Sequence, residues 1–353
     1  MYETFYHNLP NGLQIVHRPT SSPVVYVGLM IGAGTRHEQP NENGMAHYIE
    51  HCLFKGTEHY TARQIINHIE GIGGEINAYT TKEETTFYAA TLNNHFRTTL
   101  HLLGDMVLRP TFNRKETDKE VTVILDEIES YNDSPSELIY DDFENMIFEG
   151  NSLAMPILGT KKTLKRISKS PDYPLNWMKQ HYRPERMVLF VQGNVTTKQV
   201  IAAAEKELAH LASIPNSYSV SSPSSLSATK ERVYRRHTHQ THVMLGSHSF
   251  PIGHPKQLTM FLLNNILGGG SMSSRLYLSL REKYGLVYNI DSQAVPLSDT
   301  GYWNIYLACE PQHKDQCLEL VHAELKKLRD VRLTSAQLQR ALSQLQGQLA
   351  ISA

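Results

Sequence analysis

At 353 residues, 40% hydrophobic and 20% charged, the chain has enough apolar material for real cores and, by length, for two domains. A formal net charge of −1 speaks against a nucleic acid or an anionic membrane as partner. Three cysteines (Cys52, Cys309, Cys317) without a C-x-x-C pair argue against a disulfide framework, the N-terminus carries no secretory pattern, and no apolar run approaches the ~20 residues that span a bilayer, so a cytoplasmic protein is expected.

Residues 3–18 read as a β-hairpin turning at Asn11-Gly12. Val24 to Ile31 is a β-branched strand, closed by Gly32-Ala33-Gly34-Thr35 and a polar loop to Asn43. Gly44 precedes a helix that stops near Gly56. Thr61 is the expected N-cap of a second helix with Ile65, Ile66 and Ile69 on its apolar side, ended by Gly71, Gly73 and Gly74. Strands follow at 75–80 and 85–91, then helices at 95–108, 113–131 and 136–150, one short helix, a strand at 187–192 and a helix at 197–211. The Ser/Pro-rich stretch 213–230 has no hydrophobic period and reads as a linker.

Beyond it the order strand, helix, helix, strand, strand, helix recurs, over 242–250, 257–267, 273–284, 286–294, 301–309 and 313–329. The expected class is α+β, with two similar α/β-roll domains in which helices pack on one side of a sheet. The domains are expected at 1–212 and 231–353, joined by the linker. The chain closes inside a helix striped by Leu338, Leu342, Leu345 and Leu349, so the second domain is expected to be incomplete.

The first helix carries His47-Tyr48-Ile49-Glu50-His51. His47 and His51 are i,i+4 neighbours on one helix face, a spacing at which two neutral imidazoles grip one Zn²⁺. Glu50 stands beside them, within reach of a water activated there. A third ligand is needed, and Asp126-Glu127-Ile128-Glu129 offers three carboxylates. Spacing alone does not choose among Asp126, Glu127 and Glu129.

His47 to Thr57 resembles the signature of the pitrilysin/insulinase family of zinc peptidases (the inverzincins), in the subgroup similar to mitochondrial processing peptidase. Further similarity lies in Gly73 to Thr80, Tyr131 to Pro135, Pro156 to Gly159, Leu267 to Gly270, Ser274 to Leu276 and Arg281 to Tyr288. The resemblance implies one Zn²⁺ per chain, held by His47, His51 and Glu127, with Glu50 as general base. It implies that Glu120, two helical turns before Glu127, supports the site. It assigns Asn77 and the backbone at Ala78 to an edge strand facing the substrate. Arg281 and Tyr288 correspond to the pair that reaches the substrate backbone from the second domain. The activity implied is endopeptidase cleavage of peptides or unfolded polypeptides, by a homodimer or a heterodimer with a similar subunit.

Other readings compete for some residues. Cys52 departs from the family pattern and reads first as a small core residue. Competing readings make Arg281 a surface ion-pair partner, Tyr288 a half-buried strand aromatic, Glu120 a solvated helix residue and Asn77 a turn residue. His237, His239 and His242 alternate along a strand, but no carboxylate or Cys accompanies them. Gly268 to Gly270 lacks the Lys-Ser/Thr of a phosphate loop. Two other functions stand beside a peptidase: a non-catalytic partner subunit, which the intact motif speaks against, and a zinc hydrolase of non-peptide substrates.

Overall fold

The computed structural model describes residues 3–211, 220–223 and 229–352. Residues 213–219 and 224–228 of the expected linker lie outside the described residues. The chain divides into two compact units, Met1–Ser130 with Met155–Ser221, and Tyr131–Ala154 with Ser222–Ala353. The segment Tyr131–Ala154, expected within the first domain, thus groups with the second unit.

The first unit is built on six strands: β1 (Phe5–Asn8), β2 (Gln14–Pro19), β3 (Val24–Ile31), β4 (Glu75–Thr80), β5 (Thr85–Leu92) and β6 (Met187–Gly193). Their order is β1-β2-β6-β3-β5-β4, with only β2 and β6 parallel. Side chains alternate across each strand, so in β2, β3, β5 and β6 the odd positions point to one face, which β4 joins through its even positions. Ile15, Val25, Val27, Leu29, Ile31, Phe87, Ala89, Leu189 and Val191 are all fully buried there. Tyr6, Tyr26 and Tyr79 stay exposed.

The buried face is covered by α1 (Met45–Leu53), α2 (Ala62–Glu70), α3 (Phe96–Leu108), α4 (Arg114–Asn132), α6 (Lys161–Ile167), α7 (Asp172–His181) and α8 (Thr197–Leu208). Helices and strands share one hydrophobic cluster, as expected for a sheet with helices on one side. The single short helix expected after Gly159 is two, α6 and α7, separated at Ser168 to Pro171. The Thr61 N-cap is as expected: its side chain accepts from the Gln64 amide while Gln64 answers the Thr61 amide.

The second unit holds β7 (Thr241–His248), β8 (Val287–Pro296) and β9 (Gly301–Cys309) in the order β7-β9-β8. One face packs Leu267, Leu276, Leu280, Ile305, Leu307, Cys317 and Val321, from α9 (Gln257–Leu267), a π-helical segment (Tyr277–Lys283), α10 (Lys314–Asp330) and their neighbours. The other face takes α5 (Pro135–Ile147), whose Phe143 and Ile147 meet Tyr302 and Met244. The chain closes with α11 (Ser335–Ser352). The helix expected at 273–284 is thus mostly π-helical.

Candidate metal centre

The centre begins with the residues that fix α1. Its N-cap is Gly44, at φ +92, where a Cβ would lie 2.9 Å from the Cα of Gly159. Only glycine allows both this conformation and this approach. Ahead of it, Glu38 is 2% exposed and reaches the start of the helix. Its Oε2 accepts from the Gly44 amide at 2.8 Å and from Asn43 Nδ2 at 3.1 Å, and its Oε1 accepts from the Ala46 amide at 2.8 Å. A carboxylate at the positive end of a helix satisfies donors that the helix cannot. Burial pushes the Glu38 carboxyl up to about 8, against the pull of these three donors.

With α1 seated through Ala46, Ile49 and Leu53, the pattern H-x-x-E-H lands on the remaining side of the helix. His47 and His51 stack edge to face, ring centroids 4.6 Å apart. α4 supplies the third group. Glu127 Oε2 lies 3.8 Å from His47 Nε2 and 3.5 Å from His51 Nε2. Of the three carboxylates, Glu127 is the one whose oxygen lies near both imidazoles. Among the described residues, His47, His51 and Glu127 are the one group of three or more potential ligands with donor atoms in mutual range, all within 4.8 Å.

The donor set fits zinc. Two imidazoles and one carboxylate with a side open to solvent match a catalytic rather than a structural zinc site. Tetrahedral ligands at about 2.0–2.1 Å from the metal lie about 3.3 Å from each other, close to the two separations measured. Among the described residues, the buried His47 Nδ1 has no hydrogen-bond partner.

The surrounding charges keep these roles apart. Burial and the neighbouring His51 lower His47 to about 4, which keeps it neutral, the form a metal binds. Burial also pulls His51 down, but bonds to Glu127 and Glu120 outweigh it and the net shift is upward. The His51 bond holds Glu127 below the ordinary carboxylate range. Glu120, 6% exposed, sits 3.1 Å from His51 Nδ1 through Oε2 and 2.7 Å from Lys55 Nζ through Oε1. It therefore orients the imidazole from behind, with Lys55 compensating its charge. Glu50 is raised, first by burial, while a bond from Thr80 pulls it back.

The other expected residues distribute as follows. Asn77 is exposed on β4 and its Oδ1 accepts from the Ala78 amide at 2.8 Å, so the backbone donor assigned to substrate is held by a neighbouring side chain. β4 ends the sheet and its outer edge has no strand partner among the described residues. Arg281 and Tyr288 belong to the second unit and meet each other, the guanidinium 5.2 Å from the Tyr288 ring centre and 5.0 Å from that of Tyr277. Cys52 is a core residue whose thiol burial pushes up to about 12. His242 pairs with the Tyr306 hydroxyl at 2.9 Å.

Three contributors escaped the sequence reading: Glu38, Lys55 and Thr80. Lys55 had a signal in its spacing, four residues after His51, although it lies in the turn just beyond the end of α1. Glu38 had a weaker one, as an acid in the loop before a helix that lacks a capping side chain.

Comparison with known proteins bears on the whole chain. Residues 14–161 match the family described as Insulinase (Peptidase family M16), and residues 172–345 match Peptidase M16 inactive domain. The uncharacterized zinc protease YmxG of Bacillus subtilis is 35% identical over 97% of this chain and 82% of its own length. The β subunit of the mitochondrial-processing peptidase of Bos taurus is 27% identical over 91% of this chain and 66% of its own. In fold, a protease from Helicobacter pylori superposes with a TM-score of 0.89 at 22% identity, covering 99% of this chain and 86% of that one. Among the described residues no helix is long and apolar enough to cross a membrane.

Proposed function

The chain belongs to the insulinase family, peptidase family M16, and from that membership we propose that it is a zinc metalloendopeptidase acting on peptides or unfolded polypeptides. The observation that carries this reading is the convergence of His47, His51 and Glu127 beside Glu50. When bound, Zn²⁺ supplies a Lewis acid and lowers the pKa of water toward ~7. His47, His51 and Glu127 would hold it, one ion per chain, with Glu120 fixing the tautomer of His51 by accepting a hydrogen bond from its Nδ1–H.

Glu50 acts as the general base. It takes a proton from the attacking water and passes it to the leaving amine. Burial raises its proton affinity toward that of the groups it serves. The unpaired edge of β4 accepts an extended peptide by main-chain hydrogen bonds, and Asn77 releases the Ala78 amide to it. Binding of this kind reads backbone more than side chains. We assign Arg281 and Tyr288 to substrate contact as one recognition element, a reading supported by their mutual stacking. A paired assembly, homodimeric or with a similar subunit, is supported by the relative that is by name a subunit. A cytoplasmic setting is supported by three unpaired cysteines.

The match of residues 172–345 to an inactive domain is consistent with a single centre in the first unit. The test is cleavage of an unfolded polypeptide by wild type and Glu50→Gln, with zinc measured in both. Both proteins are expected to carry one zinc per chain, and hydrolysis to fall by at least ~10³-fold in the variant. Normal turnover by the variant would remove Glu50 from the mechanism. A wild type that holds zinc and cleaves nothing would favour the partner-subunit reading.

A further inference from the structure

β4 carries more than a free edge. Its alternation turns Ile76, Ala78 and Thr80 toward the core and leaves Glu75, Asn77 and Tyr79 outside. Ile76 and Ala78 end in apolar packing. Thr80 does not: its Oγ1 donates to Glu50 Oε2 at 2.5 Å. The donor is 30 residues away in sequence and on a different element.

The surrounding hydroxyls fix the direction of that bond. Thr85, on β5 and opposite Thr80 in the ladder, donates its one proton to the Ala33 carbonyl at 2.9 Å. Thr85 is therefore an acceptor toward Thr80, 3.4 Å away. A hydroxyl has one proton to give. The shorter and charge-assisted contact to Glu50 takes it. Thr85 is fully buried, so the arrangement rests on a fixed base rather than on solvent. The outcome is one carboxylate oxygen of Glu50, Oε2, tied to the strand.

We propose that Thr80 is a positioning residue for the general base, and that it couples the placement of the β4 strand to the orientation of the Glu50 carboxylate. The inference rests on the peptidase reading for its kinetic consequence but not for its structural one. A peptide added to the edge of β4 fixes the strand whose inner face holds the base. Binding and alignment of the base are then one event, which contributes to the turnover step rather than to affinity.

The test compares Thr80→Val, which keeps the shape and removes the hydroxyl, with Thr80→Ser, which keeps the hydroxyl. In Thr80→Val, kcat on an unfolded polypeptide is expected to fall by about 10–100-fold, with KM within about twofold, zinc at one per chain and Tm unchanged. Thr80→Ser is expected to retain most of kcat. Full kcat in Thr80→Val, or an equal loss in Thr80→Ser, overturns the proposal. So does a loss of zinc or of Tm that accounts for the fall. Crystal structures of wild type and Thr80→Val supply a readout independent of activity. The Glu50 carboxylate is expected to rotate or shift by about 1 Å or more when the hydroxyl is gone, a displacement large enough to matter for a reacting group. An unmoved carboxylate refutes the proposal even if the protein cleaves nothing, while a moved one beside an inactive wild type faults the peptidase reading alone.

Discussion

The two units run through the same elements and end with different chemistry. The first unit has β3, α1, α2, β4, β5, α3 and α4 in succession, and the second has β7, α9, the π-helical segment, β8, β9, α10 and α11. The strands even pair alike, as β3-β5-β4 and β7-β9-β8. Yet α9 holds neither His nor Glu, and α11 contains no acidic residue at all. Their counterparts α1 and α4 carry His47, His51, Glu120 and Glu127. The same frame therefore exists loaded and unloaded within one chain. Site chemistry is a matter of a few side chains grafted on a fold that folds without them.

The largest effect that tests this contrast is on metal content. His51→Ala removes one of the three proposed ligands and the contact that anchors Glu120. Zinc affinity is expected to fall by more than ~100-fold, so that one ion per chain becomes none after dialysis. Zinc retained at one per chain would show that another part of the chain holds it, and the contrast between the units would fail. Glu120→Gln is expected to lie between, with affinity lowered about 10–100-fold.

Much of the frame was legible because it is written in local patterns. Val24–Ile31 announces itself by β-branching, α2 by the Thr61 cap, and α9 by its apolar period. What escaped depends on contacts far apart in sequence. Nothing in Pro135–Ile147 says that Phe143 will meet Tyr302 or that Glu144 will accept from the Tyr302 hydroxyl, so α5 was placed with its sequence neighbours. The π-helical register of Tyr277–Lys283 follows a pattern that an α-helix would satisfy equally. The pairing of His47 and His51 on one face of α1 was legible from i,i+4 spacing. Glu127 was not separable from Asp126 and Glu129, because the choice depends on how α4 turns toward α1. Glu38 and Thr80 are partners of the motif rather than parts of it, and only folding brings them there.

A second test uses the fact that each unit contains one tryptophan, Trp177 in the first and Trp303 in the second. Trp177 lies on α7 against His181, ring centres 4.4 Å apart. Burial and the nearby Arg186 lower His181 to about 3. Its folded pKa lies below the ordinary 6.5, so the stabilising effect of keeping it neutral is complete above pH 6.5 and fades as pH falls toward the folded value. Other groups respond in the same range, and Glu38 with the opposite sign, because its carboxyl is raised to about 8. A difference between two proteins removes them. In a Trp303→Phe background, His181→Phe is expected to be less stable than its parent at pH 7.5, having lost the Arg186 contact. Between pH 6.5 and 4 that deficit should shrink by about 3 kcal/mol, read from urea midpoints followed by Trp177 fluorescence. A gap that stays constant would mean that His181 does not resist protonation.

The smallest effect concerns how the second helix of each frame begins. α2 opens with reciprocal bonds between Thr61 and Gln64, the Thr61 amide lying 2.9 Å from Gln64 Oε1. Its counterpart, the π-helical segment, opens at Leu276 with no side-chain cap. Thr61 is exposed, so its substitution disturbs no core. Thr61→Ala is expected to cost the first unit about 1 kcal/mol, with Thr61→Ser restoring most of it. The measurement is again the urea midpoint reported by Trp177. Ile65 and Ile69 are fully buried on the inner side of α2, and packing could hold the helix without any cap. A loss near zero would therefore mean that both frames seat this element by burial alone, leaving the cap as a local preference that the folded unit does not need.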